Sequence, residues 1–219
     1  PKNRNALALL SFFQVTAYNK DLIPANRLPA TWDDLLRPEF KAKKFAADIR
    51  PQELAGLVPA WGVEKTLDFA RKLALQQPIW VRGSTRAMTA IIAGEIPMMI
   101  GPNFNSTKRI QAKDKTGLLQ YVILEPVPLR PAEIEGIQAN SESPYAALLW
   151  FEWMASPEAQ RLVDEFEPFA SSYYIGGGAV EQALRGRKLS VVGWEQNQLM
   201  EAWQAEVVKA YGFPKVESK

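Results

Sequence analysis

Short apolar runs alternate with amphipathic stretches along the first two thirds of the chain. The first run starts at residue 6, continues to about 18 and predicts a long buried strand. Residues 63–76 carry apolar side chains at helical spacing, which predicts an amphipathic helix. Further short apolar segments predict strands at 44–48, 79–81, 96–100 and 119–124. The alternation of strands with helices predicts an α/β fold.

Capping residues and prolines mark where the predicted helices begin. Thr31 is placed to cap a short helix that Pro38 ends, and Pro51 suits the first position of another. Ser84 or Thr85 begins a helix that closes near residue 93, and a polar helix is predicted at 104–113. Each of these helices directly follows a predicted strand or the loop after it.

The last third of the sequence predicts mainly helices. A proline-rich stretch at 126–131 separates it from the rest, and one strand is predicted at 134–138. Trp150 and Trp153 lie in a strongly apolar helix, so both are predicted to be core residues. The predicted helices begin at Ser143-Pro144 and Ser156-Pro157, after the glycine run 176–178, and at about 195, the last continuing to 211.

Two absences in the composition exclude most hydrolases and thiolate metal sites. The chain contains no Cys and no His, so it has no thiolate ligand and no imidazole base. The net charge is only +2, which gives no long-range attraction for nucleic acid. An enzyme would need paired carboxylates or a lysine nucleophile, and Asp33-Asp34 is better explained as stabilisation of a helix start. We therefore expect no catalysis, no cofactor and no nucleic-acid partner.

The start of the chain looks like the interior of a longer protein. Pro1 is followed almost at once by a strand of buried type, with no signal-peptide pattern, so we expect any leader to lie outside this sequence. The apolar run at 145–154 contains Glu152 and is far shorter than a membrane-spanning helix. The exposed apolar face of a strand that opens the chain also predicts self-association.

Several segments together resemble the periplasmic solute-binding proteins of ABC importers, in the branch that takes ferric iron, polyamines or phosphonates. Singly each motif is weak, but their order and spacing across about 17–166 are fairly specific. The matching segments are AYNK at 17–20, LPATWDDLLRPEFKAKKFAAD at 28–48, AGEIP at 93–97, SPYAA at 143–147 and SPEAQ at 156–160.

The resemblance implies a type II two-lobe binding fold, of which this chain holds mainly the second lobe and a helical return segment. Residues 1–17 would be a hinge strand with a remnant of the first lobe, 18–120 the second α/β lobe, and 121–219 the return to the first lobe. The implied function is capture of a small solute in the interlobe cleft and its delivery to a membrane permease. The implied location is the periplasm or the outer face of the membrane.

Three loops, at 49–50, 82–86 and 101–105, should face the cleft, because ligands of α/β proteins bind beyond the carboxyl ends of the strands. Backbone N–H groups at helix starts and the guanidinium groups nearby favour an anion. The predicted ligand is a phosphorylated compound, a phosphonate or a ferric chelate. The candidate ligand-binding residues are Tyr18, Arg50, Arg82, Gly83, Ser84, Thr85, Arg86, Asn103 and Asn105.

Direct capture of iron is disfavoured at the position where the resemblance would place it. The ferric members carry adjacent tyrosines in the loop that matches 103–105, and here the residues are Phe104 and Asn105. Neither is a good ligand for a hard trivalent ion. The pair Tyr173-Tyr174 lies far downstream and is better explained by packing. A ligand-sensing domain of a regulator, or an enzyme acting on a phosphorylated molecule, remain the alternative functions.

Overall fold

Strand β1 (Ala6–Asn19) is the longest element and confirms the strand predicted at 6–18. The computed structural model describes residues 6–167 and 169–213, so parts of the predicted first and last segments, 1–5 and 214–219, lie outside the described residues. From Leu9 onward almost every side chain of β1 is buried, because other elements cover both of its faces. This explains the unbroken apolar run in the sequence.

Strand β1 changes partners halfway along its length. Its first half pairs antiparallel with β6 (Val127–Gly136), from Ala6 opposite Gly136 to Phe13 opposite Leu129. Its second half pairs antiparallel with β4 (Met98–Asn103) and with β5 (Leu119–Val122). A register shift between Gln14 and Thr16 separates the two halves. One strand therefore links two halves of a seven-stranded sheet.

The strands on one side of β1 run parallel to one another. Strand β2 (Ala46–Asp48) pairs in parallel with β3 (Ile79–Val81) and with β4. The order across this side is β3-β2-β4-β1. Because parallel strands point the same way, the carboxyl ends of β2, β3 and β4 lie at one edge of the sheet.

Helices cover both faces of this half of the sheet. Met98 and Met99 are neighbours in β4, and they enter different core clusters because successive side chains of a strand point to opposite faces. Helix α3 packs Phe69 and Leu73 on the Met98 side, whereas α4 packs Met88 on the Met99 side. The helices are α1 (Gln52–Ala55), α2 (Val58–Trp61), α3 (Val63–Leu75), α4 (Ser84–Ile92) and α5 (Phe104–Lys113).

The other half of the sheet corrects two predictions. Strand β6 starts inside the proline-rich stretch, and β7 (Leu189–Val191), which pairs with it in parallel, was not predicted. The hydrogen bonds are carried by the residues beside Pro128, since the Val127 N–H donates to Lys188 and the Leu129 carbonyl accepts from Val192, both at 2.8 Å. Proline can occupy a strand where its missing N–H is not needed.

The remaining helices surround this second half and return to the first. The predicted helix at 195–211 is two helices, and the one predicted after Thr31 is a 3₁₀ turn at Asp33–Leu36, followed by another at Pro38–Phe40. Helix α10 packs against α1 and α3 and contributes Val207 to their core. The C-terminal helices are α6 (Pro144–Met154), α7 (Pro157–Phe166), α8 (Ala179–Leu184), α9 (Trp194–Asn197) and α10 (Met200–Ala210).

The prediction that Trp150 and Trp153 are core residues is wrong. Their exposed fractions are 49% and 38%, and the two rings contact one another at a centroid distance of 5.3 Å. The reason is that α6 has α7 as its main neighbour, so most of its surface is uncovered in the described part of the chain. None of the helices within 6–167 and 169–213 is long and apolar enough to cross a bilayer.

Candidate functional site

A small cavity lies at the edge of the sheet where β2, β3 and β4 end. Helix α1 follows β2, α4 follows β3 and α5 follows β4, so three helix starts meet there. The cavity measures about 150 Å³, which is room for a small cluster of waters. That volume suits one charged group of a ligand rather than a whole metabolite. The lining residues are Asp48, Arg50, Gln52, Glu53, Ser84, Met99, Gly101 and Asn103.

The structure brings one candidate residue from each of the three predicted loops to this cavity. Arg50 comes from the loop after β2, Ser84 from the start of α4, and Asn103 from the end of β4. Gly83 immediately precedes Ser84 and is the N-cap of α4. Three segments that are distant in sequence therefore converge, as the sequence analysis anticipated.

The other candidates do not line the cavity. Arg82, Thr85 and Arg86 are exposed at the surface. Side chains on a helix turn by about 100° per residue, so Arg86 points about 200° away from Ser84. Asn105 is buried, and its Oδ1 accepts a hydrogen bond from the Ser106 N–H at 2.9 Å.

Tyr18 also lies away from the cavity. It is partly buried and packs against the large core cluster that lies beneath α3. Its backbone pairs with Met98 on one side and Gln120 on the other. The structure thus gives Tyr18 the packing role that the sequence left open beside a role at the cleft floor.

Asp48 ties the first two loops together. Its Oδ1 accepts the backbone N–H of Arg50 at 2.9 Å, and its Oδ2 accepts the N–H of Gly83 at 2.8 Å. The Arg50 Nε lies 3.5 Å from the same Oδ1, although more than half of the Arg50 side chain is exposed. Asp48 is therefore used in holding the backbone of both loops, and it balances the charge of Arg50.

None of the three helix starts has a side-chain cap, and α4 and α5 are the two longer helices. Gly83 has no side chain, and Asn103, the N-cap of α5, makes no capping hydrogen bond. Asn103 Oδ1 instead accepts from the Gln14 Nε2 at 3.2 Å. A helix start carries a charge equivalent to about +0.5. The starts of α4 and α5 together act as a positive charge of about +1 at this edge of the sheet.

Glu53 is the residue of this cavity that the sequence analysis missed. It lies in α1, only 1% of it is exposed, and its Oε1 has no hydrogen-bond partner. Burial raises the pKa of Glu53 to about 8 from its ordinary 4.5, and the nearby carboxylate of Asp48 adds to the increase in pKa. In the sequence, Glu53 is simply an acid in the first turn of a helix, and no local pattern marks it as buried.

Gly101 makes the space that the Glu53 carboxyl occupies. A Cβ at position 101 would lie 2.6 Å from the Cδ and Oε2 of Glu53, which is a severe overlap. Gly101 also has a φ of +82°, in the region that glycine adopts most easily. The Glu53 carboxyl thus lies where a side chain at position 101 would otherwise stand.

The residues that would suit iron capture are not assembled at the cavity. Phe104 is buried and stacks on Phe13 at a centroid distance of 4.5 Å, so it is a core residue. Tyr173 and Tyr174 pack edge to face at 5.8 Å and do not line the cavity. Among the described residues there is no cluster of three or more Asp, Glu, Cys or His side chains that could hold a metal.

A larger groove of about 940 Å³ lies elsewhere, between the 3₁₀ turns, α3 and the end of α8. It is wide open, and its walls carry Trp32, Trp61 and the ion pair between Arg187 and Glu125. It does not lie at the carboxyl ends of β2, β3 and β4, where the ligands of α/β proteins bind. The smaller cavity therefore has the better chemistry for holding a ligand, despite its volume.

Comparison with known proteins identifies the class. The family model described as "Bacterial extracellular solute-binding protein" matches residues 2–161, most of the chain. The chain therefore belongs to the bacterial extracellular solute-binding protein family. No curated protein matches the sequence.

Solved structures share the fold at low identity. The apo ferric ion-binding protein A of Pasteurella haemolytica superposes with a TM-score of 0.71 at 19% identity, over 100% of this chain and 72% of that chain. Ferric iron-binding protein A of Mannheimia haemolytica, in an open conformation, gives 0.72 at 20% identity, over 97% and 72%. The Bordetella ferric binding protein gives 0.72 at 16% identity, over 94% and 69%.

These likenesses establish the type II periplasmic-binding fold with two lobes, as the sequence predicted. At such identities they carry the fold alone, and the substrates of those proteins are not transferred to this chain by similarity. The family membership and the fold agree with a protein that binds a solute. Which solute it binds must be argued from the cavity.

Proposed function

We propose that this chain is the solute-binding component of an ABC-type importer and that it captures a small anionic solute at the sheet edge. The observation that carries the proposal is the convergence of the uncapped starts of α4 and α5 with Arg50 around one cavity. Backbone N–H groups at helix starts bind oxyanions, and a guanidinium adds fork-shaped donors. A phosphorylated compound, a phosphonate or a ferric chelate would present such an oxyanion group.

Import would follow from closure of the two lobes rather than from chemistry. Strand β1 passes between the two halves of the sheet, and we propose it as one of the hinge strands, with residues 18–120 as the second lobe. A ligand that binds the closed form more tightly shifts the population towards closure. The proposed partner that recognises closure is a membrane permease, and the proposed location is the periplasm or the outer membrane surface.

Direct coordination of ferric iron has less support in this chain than an anion site. Phe104 and Asn105 occupy the positions where the sequence resemblance would place tyrosines, and both side chains are buried. A ferric chelate such as ferric citrate would still offer carboxylate oxygens to the cavity. We therefore propose that any iron binds as the chelate.

Calorimetric titration with inorganic phosphate, methylphosphonate and ferric citrate tests the proposal. Arg50→Gln should weaken the binding of the anion that binds by about 10-fold or more, because one charge-assisted hydrogen bond is lost. Arg71→Gln, which removes an exposed arginine from α3, is the matched control and should leave the affinity unchanged. Failure of every anion to bind, or stronger binding of spermidine than of any anion, would contradict the anion site.

Self-association stays a prediction that sedimentation at increasing concentration would test.

A further inference from the structure

The cavity keeps a net positive charge for an anion only if Glu53 is neutral. Asp48 and Arg50 contribute one negative and one positive charge and offset each other. The starts of α4 and α5 together contribute about +1. An ionised Glu53 would cancel that positive potential, whereas a protonated Glu53 leaves it available to an anion.

We infer that Glu53 holds a proton when the cavity takes up an oxyanion, so that binding of the solute is coupled to binding of one proton. This inference rests on the proposed function and adds its regulation. In the complex the Glu53 O–H donates a hydrogen bond to an oxygen of the anion. When Glu53 loses its proton to solvent, the donor becomes a negative charge and the anion is repelled.

The geometry favours a protonated carboxyl at this place. Glu53 is 1% exposed and its Oε1 lacks a partner, so the cost of burial outweighs the one backbone hydrogen bond that stabilises the charged form. A charge buried without a partner is costly, and a buried carboxyl responds by keeping its proton. The close backbone of Gly101 prevents the side chain from moving aside.

The side chains that face Glu53 do not offer it a compensating charge. Asp48, at the end of β2, is negative and is already bonded to Arg50, the nearest cation of that loop. From α10 comes Tyr211, which is itself buried with a hydroxyl that has no partner. From β6, Arg130 reaches Gln52, the residue before Glu53, at 3.4 Å.

The strand beneath Glu53 adds no titratable group, since β4 contributes Met99, Gly101 and Asn103 to the cavity. The pKa of Glu53, raised to about 8 by burial, places the loss of the proton close to neutral pH. The pKa of Tyr211 is raised well above 10, so that hydroxyl stays neutral over the same range. A change in affinity between pH 7 and 9.5 would therefore report on Glu53.

The test compares wild type with Glu53→Gln, which keeps the shape and a hydrogen-bond donor but cannot ionise. The association constant for inorganic phosphate is measured for both proteins at pH 6 to 9.5. The ratio of the wild-type constant to the variant constant removes the titration of phosphate itself. This ratio should be constant at low pH and should fall about tenfold for each pH unit above 8, as one coupled proton requires.

Two outcomes would overturn the inference while the proposed anion site stands. A ratio that does not change with pH would mean that Glu53 is not coupled to binding. A ratio that rises with pH would mean that the ionised carboxylate helps to hold the ligand. Absence of phosphate binding to both proteins at every pH would instead contradict the anion site itself, and the proton coupling with it.

A second measurement does not depend on the variant folding. Calorimetry of the wild type at pH 9, in buffers with different enthalpies of ionisation, counts the protons taken up when phosphate binds. An uptake approaching one proton per bound phosphate supports the coupling. An uptake near zero contradicts it, because phosphate is already fully in its dianionic form at that pH.

Discussion

Helices α4 and α6 are both rich in apolar residues, but only one of them is buried. Helix α4 places Ala87, Met88 and Ile91 on one face, and all three are at most 2% exposed. Helix α6 is apolar all round, and its exposed side chains include Tyr145 at 86% and Leu149 at 68%. A one-sided apolar stripe identifies the face that meets the core. A helix with apolar residues on all sides gives no indication of which face is buried.

The difference matters for function because α4 also begins at the cavity. Its buried face fixes the helix against β4, so the N–H groups of its first turn have a fixed position. Helix α6 has no comparable anchor within the described residues. We conclude that the candidate site rests on a core that β2 to α5 form together with residues of β1 and α10.

The largest predicted effect on stability comes from comparing a buried carboxyl, that of Glu53, with an exposed one. The folded state holds the Glu53 proton up to about pH 8, and the unfolded chain loses it near 4.5. The free energy of unfolding contributed by this group is therefore highest below pH 4.5 and is lost as the pH rises through 8. At about 1.4 kcal/mol per pH unit, over the interval from 4.5 to about 8, Glu53→Gln should become more stable than wild type by about 5 kcal/mol at pH 9.

Urea denaturation of both proteins at pH 5 and pH 9 measures this difference. The matched control is Glu152→Gln on the exposed surface of α6, for which the change in unfolding free energy should stay within about 0.5 kcal/mol at both values of pH. If the two substitutions change the free energy of unfolding equally at both values of pH, the burial of Glu53 is contradicted.

The next effect compares the two helices directly. Ile91→Ala removes a side chain with 0% exposure from α4 and should lower the free energy of unfolding by about 3 kcal/mol, because it leaves a cavity. Leu149→Ala in α6 should change it by about 0.5 kcal/mol or less, because the side chain is mostly in solvent. Denaturation midpoints measure both, and a comparable loss in Leu149→Ala would show that another surface covers α6.

The smallest predicted effect is the difference in stability between Gly101→Ala and Gly94→Ala. It separates the cost of backbone strain from the cost of overlap with Glu53. Gly101 and Gly94 have similar positive φ values, +82° and +78°, but only a Cβ at 101 would overlap another residue. Each substitution by Ala should cost about 1–2 kcal/mol of strain. Gly101→Ala should cost at least about 1 kcal/mol more in thermal denaturation, because Glu53 must move. If the two variants are equally stable, the carboxyl is not held where the structure places it.

The sequence was most informative where the local pattern and the tertiary environment agree. The long apolar run predicted β1, and the helical spacing at 63–76 predicted α3, which spans Val63–Leu75. The prediction failed for β7, a three-residue strand that exists because β6 lies beside it. Such a short segment has too few residues to show a period.

The site was predictable in outline and not in its chemistry. Loops that follow strands of an α/β fold meet at one sheet edge, so Arg50, Ser84 and Asn103 could be expected to converge. The orientation of Arg86 and Asn105 could not be expected, since it depends on which side of each helix meets the sheet. Both point away from the cavity or into the core.

By itself the sequence determined the class of fold, the order of strands β1 to β5 with helices α3, α4 and α5 among them, and the absence of Cys and His chemistry. These follow from residue type and spacing, which act over a few positions of the chain. Only the tertiary structure decided that Glu53 is buried against Gly101, 48 positions further along, and that α6 is exposed. Burial is set by what packs on a residue from elsewhere in the chain, and a carboxyl keeps or loses its proton accordingly.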